Sequence, residues 1–442
     1  MSDSSSGTGL LRWCGRFADL TTADRRALFD RSLTADPAIR ARTADIIRRV
    51  RHDDDDALRA LALDLDGVTL DSLEIPRSVW RDALDALEPA LRRSMERAIG
   101  NLERVHRAFL PTPQETESEP GVVIGRRPDP LARVGVYAPG GRAAYPSSVL
   151  MGIVPARVAG VGEIILCSPP GRATGQPADV VLAAAAMAGA DRVFALGGAG
   201  AIAAMAFGTT SVPRVDRIVG PGNAYVAEAK LQVASAVAID SPAGPSELLV
   251  LCDASTDPVL VAREMLAQAE HDPLAAVVAI TTDDRLAQRI IAELSAQLRA
   301  QPRTAIAAEA LAGQGAVLVV ADLNEGIAAA NAYAAEHLLL LVAEPGKVVG
   351  HLRSAGTVFI GASSSVAFGD YLTGANHVLP TGGLARSYSG LSTLDFVRWT
   401  TWQRVSPAAA ARLAGDVGTF ADAEGLPGHA AAARAWCAGV AR

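Results

Sequence analysis

From Arg133 onward, the sequence alternates short β-branched runs with helical patterns, and this alternation limits the possible folds more than any other feature. At least eight runs are typical of strands: RVGVYAPGG, EIILCSP, RVFALGG, RIVGPGN, VAID, ELLVLCD, AVVAITT and AVLVVAD. Strands that alternate with helices form parallel sheets, in which ligands bind beyond the carboxyl ends of the strands. So many strands suit two α/β domains better than one sheet, and VAIDSPAGPSELLV is the predicted crossing between the domains.

Helical patterns flank this region on both sides. Apolar residues recur at helical spacing from about Thr34 to Leu110, and again through the last fifty residues, which we interpret as a small terminal unit. The first nine residues, MSDSSSGTG, predict a mobile polar tail. The run Asp53–Asp56 has two interpretations, a metal site or an exposed helix start whose carboxylates favour the positive end of the helix dipole, and the second is favoured.

Composition narrows the class of partner. The chain has 442 residues, 50% hydrophobic and 20% charged, with a formal net charge of −7, which suits two or three domains with a large core. The acidic balance argues against nucleic acid or an anionic membrane and favours a small-molecule ligand. No stretch predicts a secretion signal or a transmembrane helix. The cysteines lack any C-x-x-C spacing, so we expect no disulfide framework or thiolate zinc site and a cytoplasmic location; they are Cys14, Cys167, Cys252 and Cys437.

Four of the seven histidines lie in short polar motifs in the second half of the chain. In MLAQAEHDP, Gln268 and His271 are three residues apart, so on a helix they share one face and can reach one ion. In AYAAEHLLLLV, Glu336 and His337 stand at the mouth of a leucine-rich strand, where partial desolvation suits general acid–base work. An exposed polar helix end or strand lip is the structural alternative for each motif.

Two further motifs add ligands or acid–base groups. Asp370 and His377 lie in FGDYLTGANHVLP, a glycine-rich loop of the kind that places side chains rather than packing a core. Glu424 and His429 lie in AEGLPGH, where an ordinary helix start is the structural alternative. Four of these side chains together offer the mixed nitrogen and oxygen ligands that suit zinc: Gln268, His271, Asp370 and His429.

The segment FALGGAGAIAAMAFG reads as a strand that ends in glycines and leads into a helix of small residues. Gly198 and Gly200, followed by Ala203, fit a loosened dinucleotide fingerprint, and Asp216 lies near the distance expected of a ribose-binding carboxylate. Small residues at such a turn also arise from close packing, so both interpretations stay open.

Taken together, these motifs closely resemble the histidinol dehydrogenase family, and the resemblance covers nearly the whole chain in the family's order. It is carried by RVGVYAPGG, YPSSVLMGIVPARVAGV, GPGNAYVAEAK, DSPAGPSELLV, QAEHDP, AAEHL, GDYLTGANHVLPTGG and AEGLPGH. The resemblance implies a zinc-dependent homodimer that oxidises L-histidinol through the aldehyde to L-histidine with two NAD+, the last step of histidine biosynthesis. It also implies an α/β fold with two incomplete, divergent Rossmann-like domains, a helical N-terminal segment and a small helical C-terminal arm.

The resemblance assigns roles to residues at the matching positions. The implied zinc ligands, the last of them reaching into the partner subunit's site, are Gln268, His271, Asp370 and His429. The implied catalytic acid–base pair is Glu336 and His337. The implied substrate-binding residues are Ser246, Gln268, His271, His337, Asp370, His377, Glu424 and His429. The implied NAD contacts are Tyr137, Gly200 and Asn223.

One of these positions departs from the family's pattern. The family segment typically reads GGAQAIA, with a glutamine that helps to hold NAD, whereas this chain has Gly200. The apparent fingerprint is therefore partly the result of this substitution, and one side-chain contact to NAD is expected to be missing.

The expected domain boundaries follow from the strand pattern and the resemblance. Residues 1–33 form an N-terminal tail and helical segment, and residues 34–137 with 248–391 form the main Rossmann-like domain with the metal and substrate site. Residues 138–247 form a second Rossmann-like domain that contacts NAD. Residues 392–442 form a C-terminal dimerisation arm.

Three alternative activities stay open on the sequence. Aldehyde oxidation could use a cysteine nucleophile, with Cys167 or Cys252 at strand ends as candidates. A zinc hydrolase would also place Glu and His near a metal. A paralogue with the same machinery could oxidise another amino or sulfonated alcohol.

Overall fold

A computed structural model of the chain describes residues 9–31, 36–140 and 144–436. Residues 1–8 of the predicted tail and Cys437 lie outside this part. The strands within it are β1 (Trp13–Arg16), β2 (Gln114–Glu119), β3 (Val122–Pro130), β4 (Arg133–Tyr137), β5 (Glu163–Ser168), β6 (Arg192–Ala195), β7 (Arg217–Val219), β8 (Ala238–Ile239), β9 (Glu247–Cys252), β10 (Ala276–Thr281), β11 (Gly315–Val319), β12 (His337–Leu341), β13 (Thr357–Ile360) and β14 (Val397–Val405).

The helices of the same residues surround these strands. They are α1 (Thr22–Phe29), α2 (Pro37–Leu61), α3 (Arg77–Asp85), α4 (Pro89–Ala108), α5 (Pro146–Ala159), α6 (Asp179–Ala188), α7 (Gly198–Phe207), α8 (Ala224–Val233), α9 (Pro258–Ala269), α10 (Asp284–Leu298), α11 (Thr304–Gln314), α12 (Leu323–Tyr333), α13 (Pro345–Val348), α14 (Val366–Tyr371), α15 (Pro407–Ala423) and α16 (Pro427–Arg434). No helix among the described residues is long and apolar enough to cross a bilayer.

Two parallel sheets form the body of the molecule. The five-stranded sheet has the order β6-β5-β4-β7-β8, and the six-stranded sheet has the order β1-β11-β10-β9-β12-β13. The central strands of both sheets are almost wholly buried because helices cover both faces, which is why their sequences are continuous apolar runs. The edge strands β1, β8 and β13 are partly exposed. All eight strands quoted from the sequence are present, and the predicted α/β fold class is confirmed.

The crossing between the two sheets is short. Strand β8 ends at Ile239 and β9 begins at Glu247, so residues 240–246 connect them and span at most about 25 Å when extended. The carboxyl edge of the five-stranded sheet must therefore lie close to the amino edge of the six-stranded sheet.

Some strands were not visible in the sequence. Strand β1 pairs with β11 at the edge of the six-stranded sheet, within a segment predicted as tail and helix. The last fifty residues were predicted to be helical throughout, and this is wrong for β14, which pairs with β3 in an antiparallel sheet of order β14-β3-β2. The alternating residues of VRWTTWQRV place side chains on two faces of that sheet, a period that suits a strand.

The packing of the N-terminal helices differs from the expected grouping. Helices α2, α3 and α4 pack against the helices of the five-stranded sheet, namely α5, α6, α7 and α8, although residues 34–137 were grouped with residues 248–391. Strand β4 is also the central strand of that sheet. The amphipathic faces of these helices complete the core around β4, β5 and β6, and therefore α2, α3, α4 and β4 pack with the five-stranded sheet and not with the six-stranded one.

The Asp53–Asp56 run lies inside α2 and not at its first turn. Asp54 has a left-handed φ of 56° and breaks the helix. Its Oδ1 accepts hydrogen bonds from the amides of Asp55 and Thr210, and Asp55 accepts from the amide and hydroxyl of Ser211. The run thus lies at a kink within α2 and anchors it to the loop after α7. Asp55 is buried, so the run is not the exposed helix start that was favoured.

A buried histidine without a partner lies in α4. His106 is 1% exposed, and neither ring nitrogen has a hydrogen-bond partner. Its nearest aromatic neighbour is Phe109, in an edge-on arrangement with the ring centroids 5.9 Å apart. Burial lowers the pKa of His106 to about 4, because the charged imidazolium is poorly solvated there.

We expect His106 to destabilise the protein in acid. Below pH 6.5 the unfolded chain binds a proton at this residue that the folded chain does not bind until about pH 4. The free energy of unfolding should therefore fall by about 3 kcal/mol over this window on account of His106 alone. Urea unfolding of wild type and His106→Leu between pH 7 and 4 measures the difference in slope. The exposed His351→Leu control should keep the wild-type slope, and an equally steep fall in His106→Leu would contradict the prediction.

Candidate active site

A cavity of about 400 Å³ opens at the carboxyl edge of the five-stranded sheet. The segments that follow β4, β5 and β6 line it with Gly140, Pro169 and Leu196, and the start of α7 adds Gly198. Strand β4 is central, with β5 and β6 on one side and β7 and β8 on the other, so the cavity lies where the strand order reverses. Ligands bind at such a point in open α/β sheets, as the sequence predicts for this region.

All three residues expected to contact NAD line this cavity. They are Tyr137 at the end of β4, Gly200 in the first turn of α7, and Asn223 at the start of α8. The hydroxyl oxygen of Tyr137 accepts a hydrogen bond of 3.1 Å from the Gly198 amide. Asn223 caps α8, and its Oδ1 accepts from the amides of Tyr225 and Val226. Two of the three residues therefore hold the loops that shape the cavity.

Gly200 is buried against α2. A Cβ atom added at this position would lie 3.1 Å from Leu61 Cδ1 and 3.6 Å from Leu58 Cδ2. Both leucines line the cavity, together with Leu65 and Asp66 from the π-helical turn that extends α2. The small residue thus serves close helix packing at the cavity wall. Asp216 is used elsewhere, because its carboxylate accepts from the Arg133 amide, and it is not among the residues that line the cavity.

The wall formed by α2 was missed by the sequence reasoning. Its leucines carry an ordinary amphipathic pattern, which indicates a buried face but not what that face meets. One sequence feature does point to this role of α2. The helix lies outside the strand–helix alternation, yet it has enough apolar residues to cover another part of the protein.

A second group of residues lies at the amino edge of the six-stranded sheet. Glu336 and His337 are 6% and 4% exposed and stand where β12 begins. Ser246 directly precedes β9, and His271 precedes β10. The expectation that ligands sit beyond carboxyl ends is therefore wrong for this sheet. The short crossing explains the difference, since it brings this amino edge toward the cavity.

Hydrogen bonds to the main chain fix the acid–base pair. The Glu247 amide donates to Glu336 Oε2 over 2.7 Å, and His337 Nδ1 lies 3.0 Å from the Glu247 carbonyl oxygen. A carbonyl can only accept, so Nδ1 carries a proton. Neutral His337 then has its lone pair on Nε2, which has no hydrogen-bond partner and lies 3.5 Å from Asp370 Oδ1.

The two groups are electrostatically coupled. Burial raises the pKa of Glu336 to about 8, and the charge of His337 only partly offsets this. Burial disfavours the imidazolium of His337, but the carboxylates of Glu336 and Asp370 outweigh it and raise the pKa of His337 to about 9. Both groups can therefore bind and release protons near neutral or mildly alkaline pH, as general acid–base work requires.

The ring of His377 contacts the main chain of Asp370, which lies in α14 and not in the predicted glycine-rich loop. His377 Nδ1 lies 2.9 Å from the Asp370 carbonyl oxygen, and its Nε2 lies 3.3 Å from Ser148 Oγ. Burial lowers the pKa of His377, which keeps the imidazole neutral. Ser148 is buried in α5, a helix of the five-stranded sheet, so this contact links the two sheets. Sequence reasoning did not identify Ser148 as a site residue.

Gln268 and His271 flank the end of α9 near this group. Gln268 is 3% exposed, and its Nε2 has no hydrogen-bond partner. Desolvation lowers the pKa of His271, opposed mainly by the charge of Asp370. A neutral imidazole, an amide and a carboxylate are suitable zinc ligands, and a buried amide without a partner fits such a role. No group of three His, Cys, Asp or Glu side chains able to hold a metal occurs among the described residues.

Glu424 and His429 are not brought to this group by the chain's own fold. Both are exposed, at the end of α15 and in α16. Phe420 and Leu426 nearby are exposed to 75% and 42%. The single chain therefore provides three of the four predicted metal ligands near the acid–base pair, and the fourth lies on the arm.

Glu247 connects several segments around the Glu336–His337 pair, although the sequence did not single it out. Its carboxylate pairs with Arg31, at 2.8 Å from Nε, and both side chains are at most 5% exposed. It also accepts from the Gly382 amide over 2.7 Å and from the Glu336 amide over 3.4 Å. Arg31 in turn donates to the Tyr333 carbonyl. The carboxylate thus ties the N-terminal segment, β12 and the loop after His377 to the start of β9.

The cysteine alternative is contradicted. Cys167 and Cys252 are completely buried, and burial raises the pKa of both thiols. A thiol that is shielded from solvent and protonated is a poor nucleophile.

A cavity where the strand order of one parallel sheet reverses, joined by a short crossing to a buried Glu336–His337 pair on a second sheet, fits the class of α/β oxidoreductases. Comparison with known proteins narrows this class. Residues 30–436 match the histidinol dehydrogenase family, and the chain belongs to that family, whose members are oxidoreductases of histidine biosynthesis.

Individual relatives support the assignment. Histidinol dehydrogenase from Natronomonas pharaonis is 47% identical over 414 residues, which cover 93% of this chain and 97% of that protein. The one from Methanothermobacter thermautotrophicus is 44% identical over 387 residues, covering 88% and 91%. The crystal structure of histidinol dehydrogenase from Elizabethkingia anophelis is similar with a TM-score of 0.92 at 31% identity, covering 98% of this chain and 99% of that chain.

The buried Arg31–Glu247 pair should be costly to break. Arg31→Leu leaves the Glu247 carboxylate buried without its cation, so we expect the free energy of unfolding to fall by about 3–5 kcal/mol. Arg16→Leu is the matched control, because Arg16 and Asp284 form an ion pair whose side chains are 58% and 56% exposed, and its loss should cost less than about 1 kcal/mol. Denaturant unfolding measures both, and similar losses in the two variants would refute the special position of Glu247.

Proposed function

We propose that this protein is a zinc-dependent homodimer that oxidises L-histidinol through the aldehyde to L-histidine, with two NAD+ consumed per substrate. The observation that carries the proposal is the short crossing, which brings the buried Glu336–His337 pair toward a cavity of about 400 Å³ on the neighbouring sheet. This volume lies in the range of small-molecule and cofactor sites. Family membership supports the substrate.

The cavity fits the dinucleotide through its glycines and the start of α7. Gly197 and Gly140 lie against Pro169, where an added Cβ would come within 2.8 Å of its ring, so glycine lets these loops pack closely. The first turn of α7 lines the cavity, and a helix N-terminus suits a phosphate. Tyr137 and Asn223 shape the wall. Bound NAD+ accepts the hydride that leaves the substrate carbon in each oxidation.

Gln268, His271 and Asp370 of one chain, with His429 of a second copy, are the proposed zinc ligands. The unpartnered amide of Gln268 and the neutral imidazole of His271 are the structural features that fit this role. Zinc held by these residues would supply a Lewis acid for a substrate that carries nitrogen donors.

His337 is the proposed base of the first oxidation. Its Nε2 takes the hydroxyl proton as hydride leaves the carbon, so that the alcohol becomes an aldehyde. In neutral His337, the hydrogen bond from Nδ1 to the Glu247 carbonyl keeps the lone pair on Nε2. The neutral ring forms as the pH rises toward the raised pKa of about 9, so mildly alkaline solution favours the first oxidation. Asp370, 3.5 Å from this nitrogen, stabilises the imidazolium that forms.

Glu336 is the proposed base of the second oxidation. The aldehyde must gain water to form a hydrate before it can lose a second hydride, and a carboxylate is needed to take the proton from that water. Burial raises the pKa of Glu336 to about 8, so its carboxylate forms as the pH rises toward this value and is then a stronger base than an ordinary glutamate. Ser246, His377 and Glu424 of a second copy are the remaining proposed substrate contacts.

Exposed apolar side chains support the homodimer. Leu274, Phe368 and Tyr371 flank His271 and Asp370 and are each more than half exposed. Phe420 and Leu426 flank Glu424 and His429 on the arm. Apolar surface beside both halves of one ligand set fits an arm that docks on the rim of the other subunit's site. We place the enzyme in the cytoplasm, because the three cysteines of the described residues are free thiols.

The proposed reaction predicts two NADH for each histidinol consumed. Zinc-loaded protein, NAD+ and L-histidinol should give a rise in absorbance at the NADH wavelength, with L-histidine as the end product. No NADH in a zinc-loaded preparation would refute the dehydrogenase and favour a hydrolase. A higher kcat/KM for another amino or sulfonated alcohol than for histidinol would replace the substrate and keep the chemistry.

The shared site predicts complementation between subunits. His429→Ala and Asp370→Ala should each bind little zinc and have little activity. Mixed dimers of the two variants form one site with both defects and one with neither, so activity should return to as much as about half of the wild-type value per mixed dimer. Metal analysis and NADH formation on dimers verified by differently tagged chains measure this, and verified mixed dimers without any rescue would contradict the shared site.

A further inference from the structure

A buried ion pair lies close to two of the residues that line the cavity, and neither member of the pair has been assigned a role so far. The side chains of Lys230 and Asp240 are 2% and 4% exposed and in direct contact. Lysine is almost never fully buried without a partner, and burying both charges carries a desolvation cost that the pair does not always recover. Apolar side chains could fill the same space without this cost. The hydrogen bonds that the two charged groups make therefore indicate why charges are present here.

Both side chains bind the same residue. Lys230 Nζ donates to the Gly220 carbonyl oxygen over 3.0 Å, and Asp240 Oδ2 accepts from the Gly220 amide over 2.7 Å. The pair therefore holds both polar backbone groups of one glycine. Hydrogen bonds to charged groups are stronger than neutral ones, so Gly220 is held firmly in place.

Gly220 cannot be replaced or shifted without moving the cavity wall. Its φ of +117° is in the region that favours glycine, and an added Cβ would lie 2.1 Å from the Tyr137 carbonyl oxygen. Tyr137 lines the cavity, and so does Asn223, three residues after Gly220. Gly220 therefore packs against the main chain of one lining residue and is joined by a short loop to another.

The pair also joins the helix to the loop that precedes it. Lys230 belongs to α8, which Asn223 caps, so its bond to Gly220 closes the loop 220–223 onto its own helix. Asp240 is the first residue of the crossing to β9. The two charges therefore connect the loop, the helix and the crossing at one point.

We propose that Lys230 and Asp240 are positioning residues for the dinucleotide cavity, which hold Gly220 so that Tyr137 and Asn223 stand at the separation that NAD+ requires. The inference rests on the proposed function for the identity of the ligand. Loss of the pair should weaken NAD+ binding while the metal and histidinol sites at the six-stranded sheet are unaffected.

The test compares binding of two ligands to the same variant. Isothermal titration of zinc-loaded Lys230→Met should give a Kd for NAD+ at least about tenfold above wild type, a loss of about 1.4 kcal/mol. The zinc content and the Kd for L-histidinol, measured without NAD+, should stay within about twofold. A role confined to general stability predicts instead that both ligands weaken together or that neither does.

A buried ion pair elsewhere is the matched control. Arg31→Met removes the cation from the pair with Glu247 behind the acid–base residues, and its Kd for NAD+ should stay within about twofold of wild type. If it weakens NAD+ binding as much as Lys230→Met does, the effect is not specific to the Gly220 contacts and the inference is overturned.

Folding of the variant is addressed by a second substitution. If Lys230→Met does not fold, Lys230→Met/Asp240→Leu leaves no buried charge of the pair without its partner and still removes both Gly220 contacts. The same rise in the Kd for NAD+ supports the inference, and an unchanged Kd overturns it. Wild-type protein that binds no NAD+ refutes the proposed function instead, so the two failures are distinguishable.

Discussion

The site depends on the short crossing between the two sheets. Residues 240–246 leave the carboxyl edge of one sheet and enter the amino edge of the other. At its first residue, Asp240 contacts the loop at the cofactor cavity through Gly220. Directly after its last residue, Glu247 binds Glu336 and His337. One short stretch of chain therefore sets the distance between the proposed cofactor and the proposed base, and each end is held by a buried ion pair.

The sequence predicts those parts of this arrangement that depend on local patterns. Strands of the parallel sheets are continuous apolar runs between glycines, and the acid–base pair stands at a strand end that can be read directly. Edge strands are harder, because β1 is short and polar and pairs with a strand about three hundred residues away. The antiparallel partner of β14 is also far away in sequence, and the helical pattern of the residues that follow β14 dominates the last fifty residues.

The supporting ion pairs could not be predicted for a related reason. Arg31 and Glu247 are 216 residues apart, and nothing in either local sequence indicates the other. At Gly200 the local sequence does carry a signal, but the signal is ambiguous. Its neighbours suggest a phosphate-binding fingerprint, whereas the residue packs against the leucines of α2. A pattern of small residues indicates that another group lies close to the backbone, but only the structure shows whether that group is a helix or a ligand.

The hydrogen bonds at the imidazoles of His337 and His377 are insensitive to substitution of the residues that accept them. Nδ1 of His337 and Nδ1 of His377 each bond to a main-chain carbonyl oxygen, of Glu247 and Asp370 respectively. Every amino acid supplies a carbonyl, so point substitution at the accepting position cannot delete the acceptor. The course of the backbone therefore fixes the tautomer of both rings. The surrounding side chains can diverge extensively in evolution without changing it, as long as the backbone keeps this course.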